Sequence, residues 1–105
     1  MKMARQGDVL LVAVDALPAD PLVEVPREQG RVVLAHGELT GHAHAFDETG
    51  ATLLRREGSD DLFLRLEREC TLRHEEHDPI VVPGGAYRVV RQREYRPGGV
   101  IPVGD

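Results

Sequence analysis

Glycine and proline interrupt this chain too often for a long element of any kind. Eleven Gly and seven Pro are spread through 105 residues, spaced at roughly 8 to 12 residues as in a small β-sandwich or barrel. Between them lie short apolar runs. Val9-Leu10-Leu11-Val12-Ala13-Val14, bounded by Gly7-Asp8 and by Asp15 to Pro21, reads as a strand buried on both faces or central in a barrel. Arg31 to Ala35 and Ala51 to Arg55 read as further strands, the latter after a Glu48-Thr49-Gly50 turn. Leu62, Leu64 and Leu66 alternate with Phe63 and Arg65 after the turn Gly58 to Asp61. Ile80-Val81-Val82 stops at Pro83-Gly84-Gly85, and Ala86 to Tyr95 follows. Leu64 to His77 could be laid on a helix, but Cys70, Leu72 and His74 alternate as on a strand. Ala16 to Glu28, with three prolines, reads as a loop or edge segment, and residues 96–105 as a loosely held extended tail. The expected fold is all-β: a small antiparallel barrel or sandwich with little or no helix, one domain over residues 1–105.

Composition removes several classes of function. A net charge of −5 disfavours nucleic acid, which needs a basic surface to displace phosphate counterions. Two Phe, two Tyr and no Trp leave little with which to stack bases. The single Cys70 cannot form an internal disulfide and reads as a buried structural thiol in a reducing compartment. Val9 to Val14 is too short for a signal-peptide core, and no apolar run approaches the ~18 residues of a membrane span. A cytoplasmic protein touching neither nucleic acid nor membrane is expected.

The chemistry lies in the histidines, all five of which fall in two windows. The first is His36-Gly37-Glu38-Leu39-Thr40-Gly41-His42-Ala43-His44. Residues i and i+2 of a strand share a face, so His42 and His44 would stand side by side, close enough to chelate one ion. The second is His74-Glu75-Glu76-His77-Asp78-Pro79, where Asp78-Pro79 favours a turn on which both rings converge. Antiparallel packing of the windows would offer four imidazoles, His42, His44, His74 and His77, with His36 and Glu38 orienting them from behind. Such a set suits Zn, Fe, Ni or Cu, and ligand type alone does not choose between them. Were a ligand position open to water, Glu48 or Glu76 would serve as general base. A hydrogen-bonded catalytic or ligand pocket without metal and idle surface histidines are the alternatives.

Other chemistries fit less well. A histidine-triad hydrolase would need His where Phe46 stands, and Ser59 sits in an acidic turn without a nucleophile motif. Gly84-Gly85 and Gly98-Gly99 lack the strand-to-helix setting of a phosphate loop. Arg88, Arg91, Arg93 and Arg96 are split over two faces by strand alternation and are expected to balance neighbouring carboxylates, with anion binding as the alternative.

Gly37 and Gly41 before His42-Ala43-His44, with Glu48 after Ala45-Phe46-Asp47, resemble the first motif of the cupins. Val82-Pro83-Gly84-Gly85-Ala86-Tyr87-Arg88 resembles the turn of their second motif, but Arg88 stands where that motif has its metal-binding His. The resemblance covers residues 37 to 92. It implies a β-barrel with a divalent metal in its mouth and dioxygenase, isomerase or sugar-binding chemistry, with His74 or His77 replacing the missing ligand. A barrel of the co-chaperonin type would imply no metal. The rival function is a non-enzymatic module of an operon- or phage-encoded complex, binding a protein through its β edges and the loop Pro18 to Pro26. A small-molecule ligand and a homodimer through an edge strand are further expectations.

Overall fold

The computed structural model describes residues 2–37, 39, 41–96 and 99–102, with the strands after residue 92 described through their backbone pairing. The strands are β1 (Met3–Gln6), β2 (Val9–Val14), β3 (Leu22–Glu24), β4 (Val32–His36), β5 (Ala43–Phe46), β6 (Ala51–Arg56), β7 (Leu62–Leu66), β8 (Cys70–His74), β9 (His77–Val82), β10 (Gly85–Arg91), β11 (Arg93–Arg96) and β12 (Gly99–Pro102). No helix occurs among the described residues, so none is long and apolar enough to cross a membrane.

Two antiparallel sheets carry the fold. One has six strands in the order β1-β2-β10-β7-β6-β3 and the other has four, β4-β5-β8-β9. Both are open at their ends, so of the two expected forms the chain takes the sandwich and not the closed barrel that the cupin resemblance implies. Inward residues of both sheets interleave: Leu11, Leu53, Leu64 and Val89 from the larger meet Leu34, Phe46, Leu72 and Val82 from the smaller.

The turns fall where Gly and Pro stand. Gly58-Ser59 links β6 to β7, and Pro83-Gly84 links β9 to β10. The strand β2 is flanked by β1 and β10; Val9 and Leu11 are buried, while Leu10 and Val12 are half-buried. Its continuous apolar run thus covers one buried and one partly covered face. In the proline-rich stretch Leu22–Glu24 forms the edge strand β3, and Gly99–Pro102 of the expected loose tail pairs with Arg93–Arg96.

Both hairpins of the smaller sheet are irregular. In β4–β5 the register shifts between Val33 and Ala35, and in β8–β9 between Leu72 and His74. The second shift has a large consequence. Cys70, Thr71 and Leu72 pair with Val82, Val81 and Ile80, and the same register would set His74 opposite Asp78. The shift sets it opposite His77 instead. Directly opposed residues share a face, so the irregularity brings the two imidazoles to one side. The hairpin loop is then Glu75-Glu76, with Asp78-Pro79 inside strand β9 and not in the expected turn.

Candidate metal centre

The site is assembled at one end of the sandwich from a hairpin, a strand and a turn. The β8–β9 hairpin supplies His74 and His77, strand β5 supplies His44, and the β1–β2 turn, Gln6-Gly7-Asp8, is pressed between them. Potential ligand atoms of His44, His74 and His77 all lie within 4.8 Å of one another. Ring centroids are 4.3 Å apart for His44 and His74, 4.7 Å for His74 and His77, and 5.6 Å for His44 and His77.

The hydrogen bonds determine which nitrogen each ring presents. Gln6 Nε2 donates to Leu72 O at 3.0 Å and Asp78 O at 2.9 Å, the carbonyls that flank the register shift in β8–β9. Those two bonds orient the amide, so its Oε1, 2.9 Å from His44 Nδ1, must accept from Nδ1–H. In the neutral ring Nε2 then carries the lone pair, and it faces Asp8 Oδ1 at 3.4 Å. Both residues are buried, their side chains 3% and 8% exposed. A lone-pair nitrogen and a carboxylate oxygen this close in a buried site form a pair of donors that could hold a cation between them.

His74 is set up differently. Glu76 N–H donates to its Nδ1 at 3.0 Å, so the neutral ring carries its proton on Nε2. Burial, reinforced by the neighbouring His77, pushes the His74 pKa below its ordinary value and favours the uncharged ring. To act as a ligand, His74 would have to yield the Glu76 amide at Nδ1 or move its ring proton from Nε2 to Nδ1, again at the cost of that bond.

Two glycines allow the approach. A Cβ on Gly7 would lie 2.8 Å from His77 Nε2 and 3.2 Å from His44 Cε1, and Gly7 has φ +56°. A Cβ on Gly37 would lie 3.0 Å from His42 Cβ and 3.1 Å from His74 Nε2.

The four expected ligands divide. His44, His74 and His77 come together, but His42 is outside the group, 6.0 Å from His74 by ring centroid, with Nδ1 on Glu76 Oε1 at 3.0 Å. It precedes β5 and lacks the regular-strand geometry that would align it with His44. Glu76 bridges the windows by holding His42 through its carboxylate and His74 through its amide. Glu75 does likewise: its Oε1 accepts from Ala43 N–H at 2.9 Å, which holds its carboxyl below the usual range. Glu48 is not brought to the histidines. Its Oε2 accepts from Thr71 N–H at 2.7 Å, three residues short of His74 on β8, and its Oε1 is buried without a partner among the described residues. His36, 68% exposed, lies 3.1 Å from Glu28 Oε1 instead of behind the other rings. Glu38 lies outside the described residues. Cys70 is buried as expected, but its surroundings are Arg68 and Glu48, not the histidines.

Gln6 and Asp8 complete the site without a local sequence pattern to mark them, since Gly7-Asp8 reads in the sequence only as the boundary of a strand. The available signal was a pair of polar residues around a glycine beside a buried strand.

Fold and site together define an all-β sandwich with a histidine cluster at the end where its two sheets are stitched by Gln6. The chain belongs to a domain family of unknown function, DUF8820, whose profile it matches over residues 5–92. That span includes every residue of the cluster and stops before β11. No curated protein and no solved structure matches the chain.

Proposed function

We propose that this protein binds one divalent transition metal ion through His44, His74 and His77. The observation that carries the reading is the convergence of three imidazoles from three strands, β5, β8 and β9, with the His44 tautomer set by the doubly anchored Gln6 amide. Bonds of ~2.0 to 2.1 Å to a tetrahedral ion need nitrogens roughly 3.4 Å apart, so the cluster would contract around the ion and His74 would release the Glu76 amide from its Nδ1. Zn, Fe, Ni and Cu all accept such a set. Asp8, beside His44 Nε2, and Glu76, on the His42 side, are the neighbouring carboxylates that would act as further ligand or base. Three imidazoles keep a position for water or substrate, which extends the reading to a metal-dependent enzyme of cupin type; His44 is then the one ligand from the first motif, and His74 and His77 of β8–β9 stand in for His42 and for the His that Arg88 replaces.

The test is elemental analysis of untagged protein from metal-supplemented growth, beside His44→Ala and His77→Ala. About one ion per chain in the wild type, lost in both variants, is the expected result. Wild-type protein with well under one ion sinks the reading. Retention should also fall below about pH 6, as the imidazoles take up protons in competition with the metal. Full occupancy at pH 5 would assign the ion to carboxylates.

A second reading rests on β3. It is an edge strand in the proline-rich segment, and its Val23 is exposed. An extended peptide could pair there, with no metal required.

A further inference from the structure

A cleft of about 550 Å³ has Val25, Leu53 and Leu62 among its walls and none of the three clustered histidines. Leu53 is buried, and Val25 and Leu62 are half-buried against the same core. A smaller hollow of about 210 Å³, lined by Asp8, Ala35, His36 and Arg91, shares His36 and Arg91 with it. The combined space lies in the range of small-molecule sites, where an apolar wall supplies area and a few polar groups set orientation.

The charges along it are unequal in what they offer. Glu28 is engaged by His36 at 3.1 Å, and Arg55 Nη1 donates to Ser59 O at 3.1 Å beside Asp60. Asp8 turns its carboxylate toward His44. Arg91 stands where the hollows meet, fixed there by a 2.8 Å bond from its Nε to Leu34 O, which ties β10 to β4. Anchoring through Nε presents the Nη edge, whose parallel N–H groups match the two oxygens of a carboxylate.

We propose that this cleft binds a small monocarboxylate with an apolar body, its carboxylate on the Arg91 guanidinium and its body against Val25, Leu53 and Leu62. None of these residues belongs to the His44–His74–His77 group, and the smaller hollow meets that group at Asp8, beside His44.

The experiment is a titration of ¹⁵N-labelled protein, as purified, with hexanoate, hexylammonium and 1-hexanol, followed by amide shifts. Hexanoate should saturate shifts at Leu53, Leu62 and Arg91 at lower concentration than either analogue. Arg91→Gln should weaken hexanoate about tenfold, the loss expected for a charge-assisted bond, and leave hexanol unchanged. Equal or tighter binding of hexylammonium or hexanol overturns the proposal, as does unchanged hexanoate affinity in Arg91→Gln. Shifts centred on His44, His74 and His77 would place the carboxylate on a metal, overturning this site while supporting the metal reading. Should Arg91→Gln fail to fold, Leu62→Phe decides: it fills the cleft with the guanidinium intact and must weaken hexanoate, and an unchanged affinity rejects the site.

Discussion

At Gly7 a left-handed backbone and a crowded site coincide. Its φ of +56° disfavours any residue with a Cβ, and that Cβ would lie 2.8 Å from His77 Nε2. Gly7→Ala should cost about 1–2 kcal/mol from the backbone alone. It should also displace the His77 ring, so chemical denaturation and metal analysis of one variant should both change. Gln6 is the complementary case. Gln6→Leu keeps the volume but strips partners from His44 Nδ1, Leu72 O and Asp78 O. Leaving buried groups unpaired should cost at least about 2 kcal/mol in urea denaturation, more than an exposed Gln would. Neither residue announces this role in the sequence, because a Gln beside a Gly is ordinary turn chemistry until something packs against it.

Among the elements, the β8–β9 hairpin holds the site together. Its register shift places His74 opposite His77, and its Glu75-Glu76 loop bonds back to Ala43 and His42 at the start of β5. One Gly inserted between Glu75 and Glu76 should free the register. Circular dichroism should stay β-like, and bound metal should fall well below one ion per chain; full metal content would show that the register does not matter. Phe46, fully buried two residues beyond His44, tests the supporting core. Phe46→Ala should cost about 3–5 kcal/mol, measured by denaturant unfolding. The β-character of these segments was legible, since Cys70, Leu72 and His74 alternate and β8 runs from Cys70 to His74. The register shift was not. A shift of one residue depends on which carbonyls find donors, and here the donor, Gln6, lies 66 residues from Leu72.

For the whole molecule, the sandwich buries two groups that resist ionisation. Burial, reinforced by Glu48, pushes the Cys70 thiol up, and burial alone pushes up the Tyr87 phenol. In each case the folded state holds its proton more tightly than the unfolded chain. Between the two pKa values the folded state therefore binds more protons, and stability falls as pH rises. Melting temperature should decline above about pH 8.5 from Cys70 and more steeply above about pH 10 from Tyr87. Cys70→Val should remove the first part of that decline while keeping most of the packing. A flat profile between pH 8 and 9.5 in the wild type would refute the assignment to Cys70.

What the sequence by itself determined is the class of the fold and the location of its chemistry. Frequent Gly and Pro allow only short elements, alternation makes them strands, and two windows hold every histidine; these are local properties, readable from neighbours along the chain. The tertiary structure decided which histidines meet and what faces them. His42 and His44 differ by one strand repeat in sequence, yet only His44 turns into the end of the sandwich, against Gln6 and Asp8 of the opposite sheet. His36 and Glu48 are near in sequence but are taken by Glu28 and Thr71. Side-chain partners are set by the stacking of sheets and the register of hairpins, and both depend on contacts between distant residues that local pattern does not encode.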